Sequence, residues 1–102
     1  MKPSAIRVAH RHLEDELSHQ LTLYAEGLVD RLRAKRIPAK VVERSRRIEV
    51  DLLNLDADVE VVEDPRNPWG DPHYILHTDD RPVRFTNEDD ILRELVDLSE
   101  DS

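Results

Sequence analysis

The chain has 102 residues and a formal net charge of −8, with 37% charged, 38% hydrophobic and only 4% aromatic residues. This length suits one domain, residues 1–102, with a modest core built mainly from Leu, Val and Ile. The absence of cysteine excludes disulfides and thiolate zinc sites. No apolar run approaches the ~18 residues of a membrane span, and no signal-peptide block opens the chain, so we expect no membrane partner and no secretion through a signal peptide.

The first predicted element is a long helix over residues 4–36, beginning at Ser4 as N-cap. Its apolar positions recur every three or four residues, as on one helical face; they are Ile6, Ala9, Leu13, Leu17, Leu21, Tyr24, Leu28 and Leu32. Such a helix measures about 45 Å, whereas a compact domain of this size has a radius of gyration of about 13 Å. We therefore expect residues 21–32 to pack on a sheet, and the N-terminal half to bend away, with Gly27 as the weak point, or to be covered by another chain.

After Pro38 the hydrophobic period changes from 3.6 to 2, which is typical of strands. Five short strands are predicted at 39–43, 47–53, 59–62, 73–77 and 83–85. In the second of them, Glu49 and Asp51 alternate with apolar residues. Residues 63–72 hold three of the six prolines and are predicted to form a loop. The short connections favour an antiparallel meander over residues 39–85 with helices on one face.

A second, shorter helix is predicted at residues 87–98. Thr86 is the expected N-cap, and the acids at 88–90 suit the positive end of a helix dipole. The apolar residues from Ile91 to Leu98 give this helix one buried face. The fold class is therefore α+β, with a long N-terminal helix, about five antiparallel strands and a short C-terminal helix.

Charge is distributed unevenly along the chain. Residues 31–47, the basic band, carry eight basic residues and one acid, a net charge of +7, whereas residues 48–102 carry four basic residues and seventeen acids, a net charge of −13. The basic band could contact a phosphate backbone, bind an acidic protein surface such as that of another copy, or stay solvated. We favour a protein surface, because the whole chain is acidic and the band has no aromatic residue to stack on bases. The predicted contact residues of the band are Arg31, Arg33, Arg36, Lys40, Arg44, Arg46 and Arg47.

Trp69, the one tryptophan, lies in the proline-rich loop. A large ring on a loop either anchors that loop on the core or stays exposed as a contact for a partner. We include Trp69 among the predicted partner contacts.

Two groups of residues have metal-ligand spacing but lack the rest of a site. His12, Glu16 and His19 share one face of the first helix, and Glu16-x-x-His19 has the spacing of carboxylate-bridged di-iron bundles. Such bundles need equivalent ligands on other helices, and the second helix has no histidine. The simpler interpretation is a solvated polar face.

The second group is the acidic run Asp56, Asp58 and Glu60. Calcium loops require a glycine at the sixth position and a glutamate at the twelfth, where this chain has Val61 and Asn67. We interpret the three acids as protecting a turn and a strand edge from wrong pairing. With no nucleophile in a triad context and only two glycines, we predict no enzymatic activity, no metal and no cofactor.

Residues 4–13, Ser-Ala-Ile-Arg-Val-Ala-His-Arg-His-Leu, resemble an opening segment, Ser-x-x-Arg-Val-Ala-x-Arg-x-Leu, of structural proteins of tailed bacteriophages. The resemblance covers about a tenth of the chain. It implies a virion or assembly component, present in many copies and without enzymatic activity, and it carries over no functional residue.

The sequence therefore predicts a small non-enzymatic assembly or interaction protein, with a phage head, neck or tail component as the specific case. Its expected location is the cytoplasm or a virion, and its expected partner is a protein, in a homo-oligomer or a larger assembly. The alternative is an acidic regulatory binder, such as an inhibitor or an antitoxin-like protein, or a protein that contacts nucleic acid weakly through the basic band.

Overall fold

The segment after Pro38, in which apolar and polar residues alternate, forms a five-stranded antiparallel sheet. The two helices pack on one side of it. The computed structural model describes the backbone of residues 3–45 and 47–101 and the side chains of residues 16–45 and 47–100. The helices are α1, Pro3–Ala34, and α2, Glu88–Asp101. The strands are β1, Ala39–Arg44; β2, Arg47–Leu52; β3, Asp58–Val62; β4, His73–His77; and β5, Val83–Phe85. The predicted α+β fold is confirmed.

Each strand of the sheet pairs with its neighbours in the chain, in the order β1-β2-β3-β4-β5. Alternate residues of the central strands are buried against the helices, and we call this side the inner face. The register preserves the pattern, because buried Val59 lies opposite Val50 on one side and Leu76 on the other. The polar residues between them therefore lie together on the opposite side, the outer face.

The core is made where α1 and α2 meet the inner face. From α1, Ala25, Leu28 and Leu32 are fully buried and Val29 is nearly so. Leu21 and Tyr24 pack at the margin. From α2, Ile91 and its neighbours complete the core. The prediction that residues 21–32 pack on the sheet is confirmed.

The N-terminal part of α1 extends beyond the sheet. Among the described side chains of α1, full burial begins only at Ala25, so 22 helical residues, Pro3 to Tyr24, precede it, a length of roughly 33 Å. The molecule accordingly measures 59 × 23 × 23 Å. We call residues 3–20 the helix extension. No helix in the described ranges is long and apolar enough to cross a membrane.

α1 continues through Gly27 without a break. A Cβ at this position would come no closer than 3.9 Å to its nearest neighbour, Glu88 Oε1. Glycine weakens a helix by about 1 kcal/mol without breaking it, and the buried residues on both sides of Gly27 hold the helical path.

α1 ends two residues earlier than predicted, at Ala34, in a Schellman motif. Ile37 N–H donates to Leu32 O, and Arg36 N–H donates to Arg33 O, both over 2.9 Å. Arg36 occupies the left-handed position of this motif with φ 64°, where glycine is usual. Buried Ile37 then begins the extended segment that leads into β1.

The N-cap of α2 is Asn87, and the prediction of Thr86 is wrong by one residue. Asp90 N–H donates to Asn87 Oδ1 over 2.8 Å, and Asn87 Nδ2 donates to Asp90 Oδ2 over 2.9 Å. Both residue types can cap a helix, so the choice depends on where the chain turns after β5, which the pattern of residues does not contain.

The capping geometry gives a first prediction. Replacing Asn87 by Ala leaves the Asp90 N–H without its acceptor and should lower the free energy of unfolding by about 1 kcal/mol. The matched change Thr86→Ala should stay within about 0.5 kcal/mol of the parent protein. Urea unfolding of both variants checks this, and an equal loss at the two positions would contradict the assignment of the cap.

The end of α1 gives a second prediction. Glycine adopts positive φ without steric cost, so Arg36→Gly should raise the free energy of unfolding by about 0.5 to 1 kcal/mol. The control is Lys35→Gly, one residue earlier, where φ is not positive and glycine should destabilise the helix end. Thermal unfolding is the measurement, and a lower melting temperature for Arg36→Gly would show that the arginine side chain stabilises this turn.

Candidate functional site

The outer face brings four carboxylates together at the centre of the sheet. The register places Glu49 opposite Glu60 and Asp51 opposite Asp58, and we call these four residues the carboxylate block. The side chains of Glu49, Asp51 and Glu60 are only 13%, 19% and 16% exposed, because they shield one another on an otherwise open face. Like charges that lie directly opposite each other destabilise a sheet, so the block needs compensating cations.

Arginine and histidine side chains of the same face supply that compensation. Arg44 Nη2 lies 2.9 Å from Asp51 Oδ2, and Arg44 Nη1 lies 3.5 Å from Glu49 Oε2. Glu60 is 3.2 Å from His77 Nε2 and 3.8 Å from Arg47 Nε. Asp58 is the member of the block with no ion pair to another described residue.

Three members of the block have the spacing of a cation site. One carboxylate oxygen each from Glu49, Asp51 and Asp58 lies within 4.8 Å of the others, and hard cations such as Ca²⁺ prefer oxygen ligands. Glu49 Oε2 is inaccessible and accepts no hydrogen bond, but the Arg44 guanidinium lies against the same oxygen. The arginine thus balances much of the charge from within the chain.

The prediction that the acidic run protects a strand edge is wrong for Asp58 and Glu60. Asp58 and Glu60 lie on β3, which is the central strand of the sheet, so they protect no strand edge. Asp56 lies in the turn before β3, as expected. Their partners Glu49 and Asp51 were recognised as polar positions of β2, but nothing in the sequence indicates which strand residues lie opposite them.

Arg31 of the basic band connects the two helices. Its Nη1 lies 3.0 Å from Glu88 Oε2, and its Nη2 lies 2.8 Å from Asp89 Oδ1, at the start of α2. The hydrogen bonds to Asp89 and Glu88 raise the pKa of Arg31. This arginine therefore fixes the N-terminus of α2 against α1.

Arg33 covers part of the open edge of β1. Its Nε and Nη2 donate to Ala39 O over 3.3 and 3.0 Å. Leu53 N–H donates to Pro38 O, so residues 38 and 53 form a hydrogen-bonded pair of the β1–β2 ladder. Hydrogen-bonded and non-hydrogen-bonded pairs alternate in an antiparallel ladder. The next pair, Ala39 and Leu52, is therefore non-hydrogen-bonded, and the Ala39 carbonyl points away from β2. Arg33 thus binds a backbone acceptor that would otherwise be open to another strand.

The rest of the basic band is divided between two environments. Arg44 and Arg47 turn toward the carboxylate block. Arg36 and Lys40 are exposed and form no ion pair with a described residue, while Arg46 lies outside the described residues. The band is not one cationic surface, and contact with a partner stays a prediction for all seven residues.

Trp69 is 46% exposed and takes no part in the hydrophobic core. The loop turns tightly beside it, with Gly70 N–H donating to Asn67 O over 3.0 Å. A Cβ on Gly70 would contact the amide end of the Asn67 side chain, which would then have to move. Of the two interpretations of Trp69, its position fits the exposed contact, and the partner itself stays a prediction.

In the described part of the chain, no further metal-ligating side chains lie close to Glu16 and His19 of α1. Glu16 and His19 are exposed, and the side chain of His12 lies outside the described residues. Among the described residues, Glu49, Asp51 and Asp58 are the group with metal-ligand spacing. That group comes from two strands, which explains why spacing along the sequence did not indicate it.

The carboxylate block gives a third prediction. Asp58→Asn removes an unpaired charge opposite Asp51 and should raise the free energy of unfolding by about 0.2 to 1 kcal/mol. Arg44→Gln removes the compensating guanidinium and should lower it by a similar amount. Urea unfolding at low ionic strength checks both signs. Destabilisation by Asp58→Asn in a buffer free of divalent ions would show that the Asp58 charge has a stabilising partner.

Comparison with known proteins returned no match: no protein family, no curated protein and no solved structure matches this chain. The resemblance of residues 4–13 to bacteriophage structural proteins accordingly stays a prediction.

Proposed function

We propose that this protein is a small non-enzymatic assembly protein that binds other protein chains through its helix extension. The observation that carries the proposal is that α1 begins at Pro3, whereas Leu21 is the first of its described residues to pack against the core, so residues 3–20 extend the helix beyond the sheet. The sheet is too small to cover this length, since the molecule is 59 Å long and 23 Å across. A helix that its own domain does not cover is available to another chain.

The energetics of helices support a docking role. An isolated helix of fewer than about 12 to 15 residues is marginal in water, and most helical stability in proteins comes from packing one apolar face. Leu21 packs at the edge of the core and Leu17, one turn earlier on the same face, is half-buried. Glu16, Ser18 and His19 are exposed. The apolar face of α1 therefore continues past the sheet, where a partner can pack on it.

The order of charges in the extension favours a second copy as that partner. In sequence, Arg7 and Arg11 precede Glu14, Asp15 and Glu16. Two copies in antiparallel orientation place the basic part of each extension beside the acidic part of the other, whereas a parallel pair places like charges together. The apolar positions 9 and 17 are also equally distant from Leu13, so the pattern is self-complementary in the antiparallel arrangement.

A phage virion component is the specific case within this proposal. The segment that resembles bacteriophage structural proteins, residues 4–13, lies wholly inside the helix extension. The weak nucleic-acid alternative is less well supported, since Arg31, Arg33, Arg44 and Arg47 bind groups of their own chain. Those contacts reduce the cationic charge available to phosphates.

A fourth prediction tests self-assembly. The full-length protein should sediment as an oligomer whose mass rises with concentration, and Leu17→Glu should shift it toward the monomer because the change places a charge on the apolar face. Ser18→Glu, on the adjacent exposed face, is the matched control and should leave the oligomer unchanged. Sedimentation velocity at low and high salt is the measurement. A monomer at every concentration and salt would overturn the self-assembly proposal.

A further inference from the structure

A cavity of about 220 Å³ lies where α1, the proline-rich loop and the start of α2 meet, and it is separate from the carboxylate block and the helix extension. Its polar lining residues are Tyr24, Asp71, Tyr74, Asn87, Glu88 and Asp89. They come from α1, the loop, β4 and the first turn of α2. The site is therefore built from four separate parts of the fold.

Tyr74 is a buried residue whose hydroxyl has no hydrogen-bond partner among the described residues. The residue is 1% exposed, it lines the cavity, and its hydroxyl makes no hydrogen bond to a described residue. Burial raises the pKa of Tyr74, and the charges of Glu88 and Asp71 raise it further, so the hydroxyl stays protonated at neutral pH. The hydroxyl can therefore hydrogen-bond a polar group that enters the cavity.

The carboxylates of the cavity retain free oxygens. Tyr24 O–H donates to Asp71 Oδ1 over 3.1 Å, a bond that raises the pKa of Tyr24, and Asp71 Oδ2 has no described partner. Glu88 binds Arg31 through Oε2, and Oε1 lies toward Gly27 without a hydrogen bond. The carboxylates of Asp71, Glu88 and Asp89 line the cavity, and the guanidinium of Arg31 balances one of their three negative charges. The net charge at the cavity is therefore −2.

We propose that this cavity binds an organic cation, a primary ammonium or a guanidinium group at the end of a narrow aliphatic chain. The Tyr74 hydroxyl and the carboxylates of Asp71 and Glu88 line the cavity and supply oxygen acceptors for the N–H donors of such a cation. The cavity is smaller than the roughly 300 to 1,000 Å³ of drug-sized sites, and a side chain the size of lysine is the group that suits it. The negative lining excludes anions.

The same chemistry could come from a free amine or from a lysine or arginine side chain of another protein. In both cases the cation replaces its water shell with carboxylate and phenol oxygens and packs its aliphatic part beside the tyrosine rings. The site does not depend on the helix extension, so it can be tested in the full chain whatever its state of assembly.

The test is a titration of the full-length protein, followed by NMR shifts of backbone amides, with n-butylammonium, n-butylguanidinium and uncharged n-butanol. We expect saturable shifts at the amides of residues 71, 73, 74 and 87–89 with the two cations and none with n-butanol. Asp71→Asn should weaken cation binding about tenfold or more, since bonds to a charged group are the strong ones. Asp79→Asn, an exposed acid outside the cavity, is the matched control and should not change the affinity.

Tyr74→Phe removes only the hydroxyl and keeps the ring in the core, so it should fold and bind both cations several-fold more weakly. Circular dichroism confirms that each variant is folded. Equal binding of n-butanol, or unchanged affinity in both Asp71→Asn and Tyr74→Phe, would overturn the proposal, as would the absence of saturable shifts. Tighter binding of a short lysine-containing peptide than of n-butylammonium assigns the cation to a protein partner, and the reverse order assigns it to a free amine.

Discussion

The packing of Leu28 and Leu32 on the inner face is the interaction on which the rest of the structure depends. These two fully buried residues fix α1 across β1, β2 and β3, which leaves the inner side of β4 and β5 for α2. Arg31, which lies between these two leucines in the chain, then meets the first turn of α2. Because α1 covers one side of the sheet, the carboxylate block on the other side stays open, and the cavity forms at the margin where the helices approach each other.

Much of the fold could be predicted because burial repeats along the sequence with the period of each element. Ile48, Val50 and Leu52 alternate with polar residues, and all three are buried; the apolar residues of α1 and α2 follow the helical period in the same way. The fold differs from the prediction at the ends of elements and at Gly27. Asn87 and Thr86 are both good caps, and Gly27 is a weak point that packing on either side holds in the helix.

The sites could not be predicted to the same extent, because they depend on contacts between residues distant in sequence. Glu49 and Glu60 become neighbours only through the register of β2 and β3. Tyr24 binds Asp71, 47 residues later, and Arg31 binds Glu88, 57 residues later. The basic band illustrates the same limit, since Arg31, Arg33 and Arg44 each bind a partner in a different part of the fold. The sequence shows which residues are polar, but not which of them come into contact in the folded chain.

The continuity of α1 also fixes the direction in which each side chain of the extension faces relative to the sheet. Each helical residue advances the chain by about 1.5 Å and turns it by about 100°, and the buried leucines fix the starting angle at the sheet. The direction in which Leu17 faces is therefore set by the number of residues between it and Leu28. Removing one residue from that interval would turn the apolar face of the extension by more than a quarter of a revolution relative to the sheet, while changing the reach of the helix by less than the width of an atom. In an assembly, the angle between neighbouring sheets would then be specified by chain length more strictly than by the chemistry of any single contact.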